Sequence, residues 1–94
     1  NFGPQPNDER TVLDMVELAI ENWGEGSFES PELKNKPHEA GLLKLAIDKA
    51  MHELEWKPRF TSAEAVQWTV NWYRDGRDIA KDYTTRQIEE FFDL

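Results

Sequence analysis

Ninety-four residues with a formal charge of -8, from 19 acidic and 11 basic side chains, bound what this chain can be. The length suits one small domain, and an acidic field that repels phosphate backbones disfavours a general nucleic-acid role. No apolar run approaches the ~20 residues of a membrane helix, and the absence of cysteine excludes disulfides and thiolate metal sites while suiting a reducing cytoplasm.

The chain opens Asn1-Phe2-Gly3-Pro4-Gln5-Pro6, which reads as the end of a strand running into a turn. With no initiator methionine and no basic-then-apolar leader, the expectation is a piece of a longer protein without a signal peptide. Thr11 and Asp14 then approximate a capping box. Val12, Val16, Ala19, Ile20 and Trp23 follow at helical spacing, and the "GEG" of 24–26 stops that helix.

The next stretch is predicted as a short strand "SFES" (27–30), a polar loop "PELKNKP" (31–37) and a buried strand "GLLKL" (41–45). Asp48 is expected to cap a short helix that carries Ala50, Met51 and Leu54 on one face, with Trp56 and Pro58 ending it. Thr61 and Glu64 form a second capping box opening the most regular helix, "SAEAVQWTVNWYRDG" (62–76). Its apolar side chains cover an arc of about 200°, where a surface helix needs a little over ~100°, so a second packing partner is expected. Thr84 and Gln87 are read as starting a terminal helix with Ile88, Phe91 and Phe92 on one side.

Self-contained catalytic motifs are lacking. No glycines sit in a phosphate-loop or dinucleotide spacing, no serine has a hydrolase elbow, and His38 and His52 show no metal-ligand pattern. Trp23, Trp68 and Trp72 read as core residues at helical periodicity. Two places invite a ligand. In "KPHEA" (36–40), His38 can donate to a hydroxyl and Glu39 can accept from one, although the same residues also suit a plain surface loop. In "LEWKPRF" (54–60), Arg59 follows a proline-fixed turn. Its guanidinium fork suits phosphate oxygens, or equally an acidic neighbour or the Trp56 face.

The order of these pieces carries a resemblance. "NFGP", "WGEG", "PHEAGLLKLAIDKAMHELEWKPRF", "AVQWTVNWYRDG" and "YTTRQIEEF" together resemble the carboxyl-terminal region of CDP-glucose 4,6-dehydratases. These are nucleotide-sugar enzymes of the extended short-chain dehydrogenase/reductase superfamily. The resemblance implies a mixed α/β, helix-dominated fold: the small substrate-binding lobe, spanning 1–94, with two or three short strands. It implies a cytoplasmic lyase that uses NAD in deoxysugar biosynthesis and is a homo-oligomer. That enzyme oxidises CDP-glucose at the 4-position, eliminates water across the 5- and 6-positions and returns the hydride to the 6-position.

Neither the dinucleotide fingerprint nor the YxxxK pair of the Rossmann domain occurs here. The resemblance thus assigns this chain no catalytic, cofactor-binding or metal residue, and leaves NAD to the Rossmann domain. It places His38 and Glu39 in the segment that approaches the nucleotide, and Arg59 at the position after tryptophan-x-proline. The chain departs from the pattern at Ala46 (usually aspartate), Asp48 (usually serine) and Glu55 (usually glycine). If position 55 is left-handed, glutamate costs on the order of 1 kcal/mol there. The alternatives are an acidic helical interaction module without an enzyme parent, or the same lobe of another nucleotide-sugar dehydratase or epimerase.

Overall fold

The computed structural model describes residues 1–29 and 45–94. Four α-helices follow in chain order: α1 (Val12–Trp23), α2 (Asp48–Glu53), α3 (Ser62–Asn71) and α4 (Ala80–Phe92). A π-helical turn (Trp72–Gly76) and a 3₁₀ turn (Arg77–Ile79) join α3 to α4.

Both capping boxes form. Thr11 Oγ1 accepts from the Asp14 N–H at 3.1 Å while Asp14 Oδ2 accepts from the Thr11 N–H at 3.0 Å. Thr61 and Glu64 exchange the equivalent pair at 3.2 and 3.0 Å. Each box satisfies two N–H groups that a helix start leaves without partners. Gly24 ends α1 in the left-handed conformation at φ 98°, donating to Ile20 O at 2.9 Å.

The expected strands are not there. Among the described residues there is no strand, so the α/β expectation is corrected to an all-helical arrangement. Segment 1–6 is extended and turning, and Ser27–Glu29 and Leu45 lie outside any ladder; most of the predicted "GLLKL" strand falls outside the described residues. The reason is visible at the amino-terminal segment. Pro4 and Pro6 lack N–H donors and fix φ, and Gly3 lies so near the Leu45 and Ile47 side chains that a Cβ on it would stand 3.3 Å from Leu45 Cβ and 3.5 Å from Ile47 Cγ2. The two segments lie together without a backbone ladder.

Three helix boundaries also move. Ile47, not Asp48, is the N-cap of α2, and no side chain bonds there. Asp48 is the first helical residue, where its charge still favours the positive end of the helix. The predicted helix 62–76 is α-helical only to Asn71, then widens into the π turn. α4 begins at Ala80, ahead of Thr84 and Gln87. Those two residues instead bond to the π turn and to α3. Trp72 Nε1 donates to Thr84 Oγ1 at 2.8 Å, and Gln87 Nε2 donates to Trp68 O at 2.9 Å.

The broad apolar arc of α3 is thereby accounted for within the chain. One flank packs on α1. The other meets Phe60, which sits 4.7 Å from the Trp68 ring and 5.2 Å from Phe91 of α4. Asp8 fastens the amino-terminal segment to the start of α3, accepting from Ser62 N at 2.6 Å and Ser62 Oγ at 2.7 Å. The result is a flat body, 47 × 38 × 17 Å. It exposes 8074 Å², against roughly 5,600 Å² for a compact monomer of this mass.

Candidate functional site

Of the residues singled out in the sequence, Arg59 lies among those described; His38 and Glu39 fall outside them. The turn that presents Arg59 starts at the end of α2. Leu54 closes that helix, Glu55 adopts φ 51°, and the Trp56 N–H returns to Ala50 O at 3.3 Å. Position 55 is therefore left-handed, the conformation in which a glycine would cost less. Trp56 then packs edge-on against Phe2, with ring centroids 5.0 Å apart.

Past Pro58, the Arg59 side chain reaches the far end of α4. Its Nη1 donates to Phe91 O at 3.2 Å, and its guanidinium carbon lies 5.2 and 5.8 Å from the Phe91 and Phe92 ring centroids. A cation at a helix carboxyl terminus satisfies a spare carbonyl and complements the helix dipole, and the aromatic faces add cation–π attraction. Arg59 thus closes α4 onto the 56–60 turn. Of the partners the sequence left open for Arg59, the aromatic faces it meets are those of Phe91 and Phe92, while Trp56 packs on Phe2.

A second cationic clamp has no counterpart in the sequence reading. Arg74, in the π turn, donates through Nε and Nη2 to both carboxylate oxygens of Asp75 at 3.0 and 2.8 Å. Its Nη1 meanwhile donates to Asn22 O in the last turn of α1. The bidentate pairing holds the Asp75 carboxyl below the usual carboxylate range. The only hint in the sequence was the adjacent Arg-Asp pair of "WYRDG", which does not reveal a reach across 52 positions.

Near Gly26 an open groove of about 360 Å³ is lined by Glu17, Ile20, Glu21, Gly26, Ser27 and Phe28. Its two carboxylates stand one helical turn apart on α1, with no arginine or lysine among the lining residues. Among the described residues no group of three or more His, Cys, Asp or Glu side chains is placed to hold a metal ion. Nor is any described helix long and apolar enough to cross a membrane.

Comparison with known proteins gives the decisive observation. Over 74 residues, 79% of this chain, the sequence is 36% identical to the CDP-glucose 4,6-dehydratase of Salmonella typhimurium. The chain is related to CDP-glucose 4,6-dehydratase. It spans about a fifth (21%) of that relative's length. No family model matches the chain, and no solved structure matches it. The relationship to the dehydratase therefore rests on sequence, and the resemblance read from the motifs is shown by it.

Proposed function

We propose that residues 1–94 form the carboxyl-terminal nucleotide-sugar-binding part of a CDP-glucose 4,6-dehydratase. The observation that carries this reading is the 36% identity to that enzyme over 79% of the chain. In this reading the complete protein is an NAD-dependent lyase that converts CDP-glucose to CDP-4-keto-6-deoxyglucose.

NAD itself does not fit these 94 residues. The chain holds no glycine-rich turn of dinucleotide spacing and no YxxxK pair. Among the described helices, the starts of α1 and α3 are occupied by their own Thr11 and Thr61 caps, with Asp8 also on Ser62. Neither of these two helix starts is left open for a pyrophosphate. The redox chemistry belongs to the remainder of the enzyme, and this part's role is to hold the sugar nucleotide.

Within that role, Glu39 accepts from a ribose or sugar hydroxyl and His38 donates to the nucleotide. Arg59 contributes from its exposed edge, since among the described residues Nη1 is the guanidinium nitrogen that donates to Phe91 O. The helical frame sets the stage on either side of the 36–40 segment. Gly24 and the Arg74 clamp fix where the chain leaves α1, and Ile47 fixes where it enters α2.

The test is turnover by the full-length protein supplied with NAD and a panel of CDP-, UDP-, GDP- and dTDP-glucose. The expected result is a 4-keto-6-deoxy product from CDP-glucose at a kcat/KM at least about 10-fold above the other nucleotides. Equal rates across the panel, or none with CDP-glucose, contradict the reading.

A further inference from the structure

Arg59 is gripped at both ends. Its main chain lies between Pro58, whose ring fixes φ, and Phe60, whose ring meets Trp68 at 4.7 Å and Phe91 at 5.2 Å. Its guanidinium rests on the last turn of α4, within cation–π range of the Phe91 and Phe92 rings at 5.2 and 5.8 Å. Nη1 donates to Phe91 O. That carbonyl also accepts from the Leu94 N–H at 3.3 Å, so both of its lone pairs are used. The Phe91 and Phe92 rings stand edge to face, 5.5 Å apart.

Each of these partners is uncharged. The chain has 19 acidic side chains, yet the ion pairs among the described residues are Arg10–Asp8 and Arg74–Asp75, neither of which involves Arg59. A carboxylate would neutralise the guanidinium, whereas a carbonyl and two ring faces orient it and leave its charge in place. Phe91 and Phe92 differ in what else they do. Phe91 is half-buried against Phe60 and belongs to the packing. Phe92 is 70% exposed, and its ring contacts among the described residues are Phe91 and Arg59. Removing the Phe92 ring therefore sacrifices little packing and chiefly frees the guanidinium. A long side chain that is already held loses less freedom when a ligand arrives.

We propose that Phe92 is a positioning residue for the diphosphate of the sugar nucleotide, its ring holding the still-charged Arg59 guanidinium ready to bond phosphate oxygens. The guanidinium fork matches that group in both charge and geometry. The proposal rests on the reading of this chain as the nucleotide-sugar-binding part of a dehydratase. It adds which group of the ligand Arg59 takes and which residue readies it.

The test is calorimetric titration of the full-length protein with CDP, which carries the diphosphate and has no sugar to react. Arg59→Ala should weaken Kd at least about 10-fold, the loss of a charged hydrogen bond. Phe92→Leu, which keeps apolar bulk without a ring face, should weaken it about 3- to 10-fold. Phe92→Tyr, which keeps the ring, should bind as wild type does. In the Arg59→Ala background, Phe92→Leu should add nothing, a result that a merely structural role would not give. A wild-type Kd for Arg59→Ala or for Phe92→Leu overturns the proposal. So does a Phe92→Tyr as weak as Phe92→Leu, or an equal loss from Phe92→Leu with and without Arg59. Turnover of CDP-glucose by the same wild-type preparation separates the two claims. The expected pattern of Kd values without turnover defeats the dehydratase reading alone, while turnover with Phe92→Leu unchanged in Kd defeats the proposal alone.

Discussion

Glu55 and Gly76 show how single backbone positions shape this chain. Glu55 holds φ 51°, where a Cβ is unfavourable by about 1–2 kcal/mol. Glu55→Gly should therefore raise stability by about 0.5–1 kcal/mol, after the greater flexibility of unfolded glycine is subtracted. Chemical denaturation of the full-length protein measures it. Gly76 is the opposite case. A Cβ there would stand 2.5 Å from Tyr83 Cγ and 2.6 Å from Cδ1. Gly76→Ala should cost about 1–3 kcal/mol by overpacking, seen as a lower midpoint with an unchanged denaturant slope.

Asp8 makes the residue scale pH-dependent. Hydrogen bonds from the Ser62 backbone N–H and then its hydroxyl, with Arg10 nearby, hold its carboxyl below the ordinary value of 3.8. A depressed carboxylate stabilises the fold fully above its unfolded pKa, and the contribution is lost as pH falls through the lower, folded value. Asp8→Ala should cost about 1–2 kcal/mol at pH 7. The difference from wild type should shrink below about pH 4. A gap that stays constant down to pH 2 would show that the carboxylate is not the source.

At the scale of elements, local chemistry was legible and long-range partnership was not. The capping boxes at Thr11 and Thr61 and the glycine stop at Gly24 stand where their short patterns placed them, because a cap needs only three or four neighbouring residues. Thr61→Ala should accordingly lower stability by about 1 kcal/mol. Thr84 misled for the same reason. It looks like a cap, but α4 starts at Ala80 and the hydroxyl accepts from Trp72, 12 residues away. Among the described residues the strands expected at 1–6 and 27–29 did not form, because a strand exists only with a partner, which local sequence alone does not supply. The Arg74 clamp and the Arg59 seat at α4 were likewise invisible, being contacts across 52 and 32 positions. Replacing Trp72 by phenylalanine, which removes the indole donor and keeps the ring, should cost about 1 kcal/mol and loosen α4. Amide exchange along 80–92 reports it.

For the whole molecule, the family likeness was the most legible feature, because it rests on residue order and not on geometry. The 36% identity to CDP-glucose 4,6-dehydratase extends over 79% of the chain. The body is flat, and among the described residues its buried apolar side chains are Ile47 and Ala50. The proposed ligand residues His38 and Glu39 lie outside the described residues, and the central claim is tested at them. The most direct measurement is the steady-state kinetics of the full-length protein with His38→Ala and Glu39→Gln, against CDP-glucose. Each variant should raise KM about 5- to 50-fold, the loss of one or two hydrogen bonds to ligand, with kcat and melting temperature little changed. A KM equal to wild type in both variants would contradict the assignment of this chain to nucleotide-sugar binding.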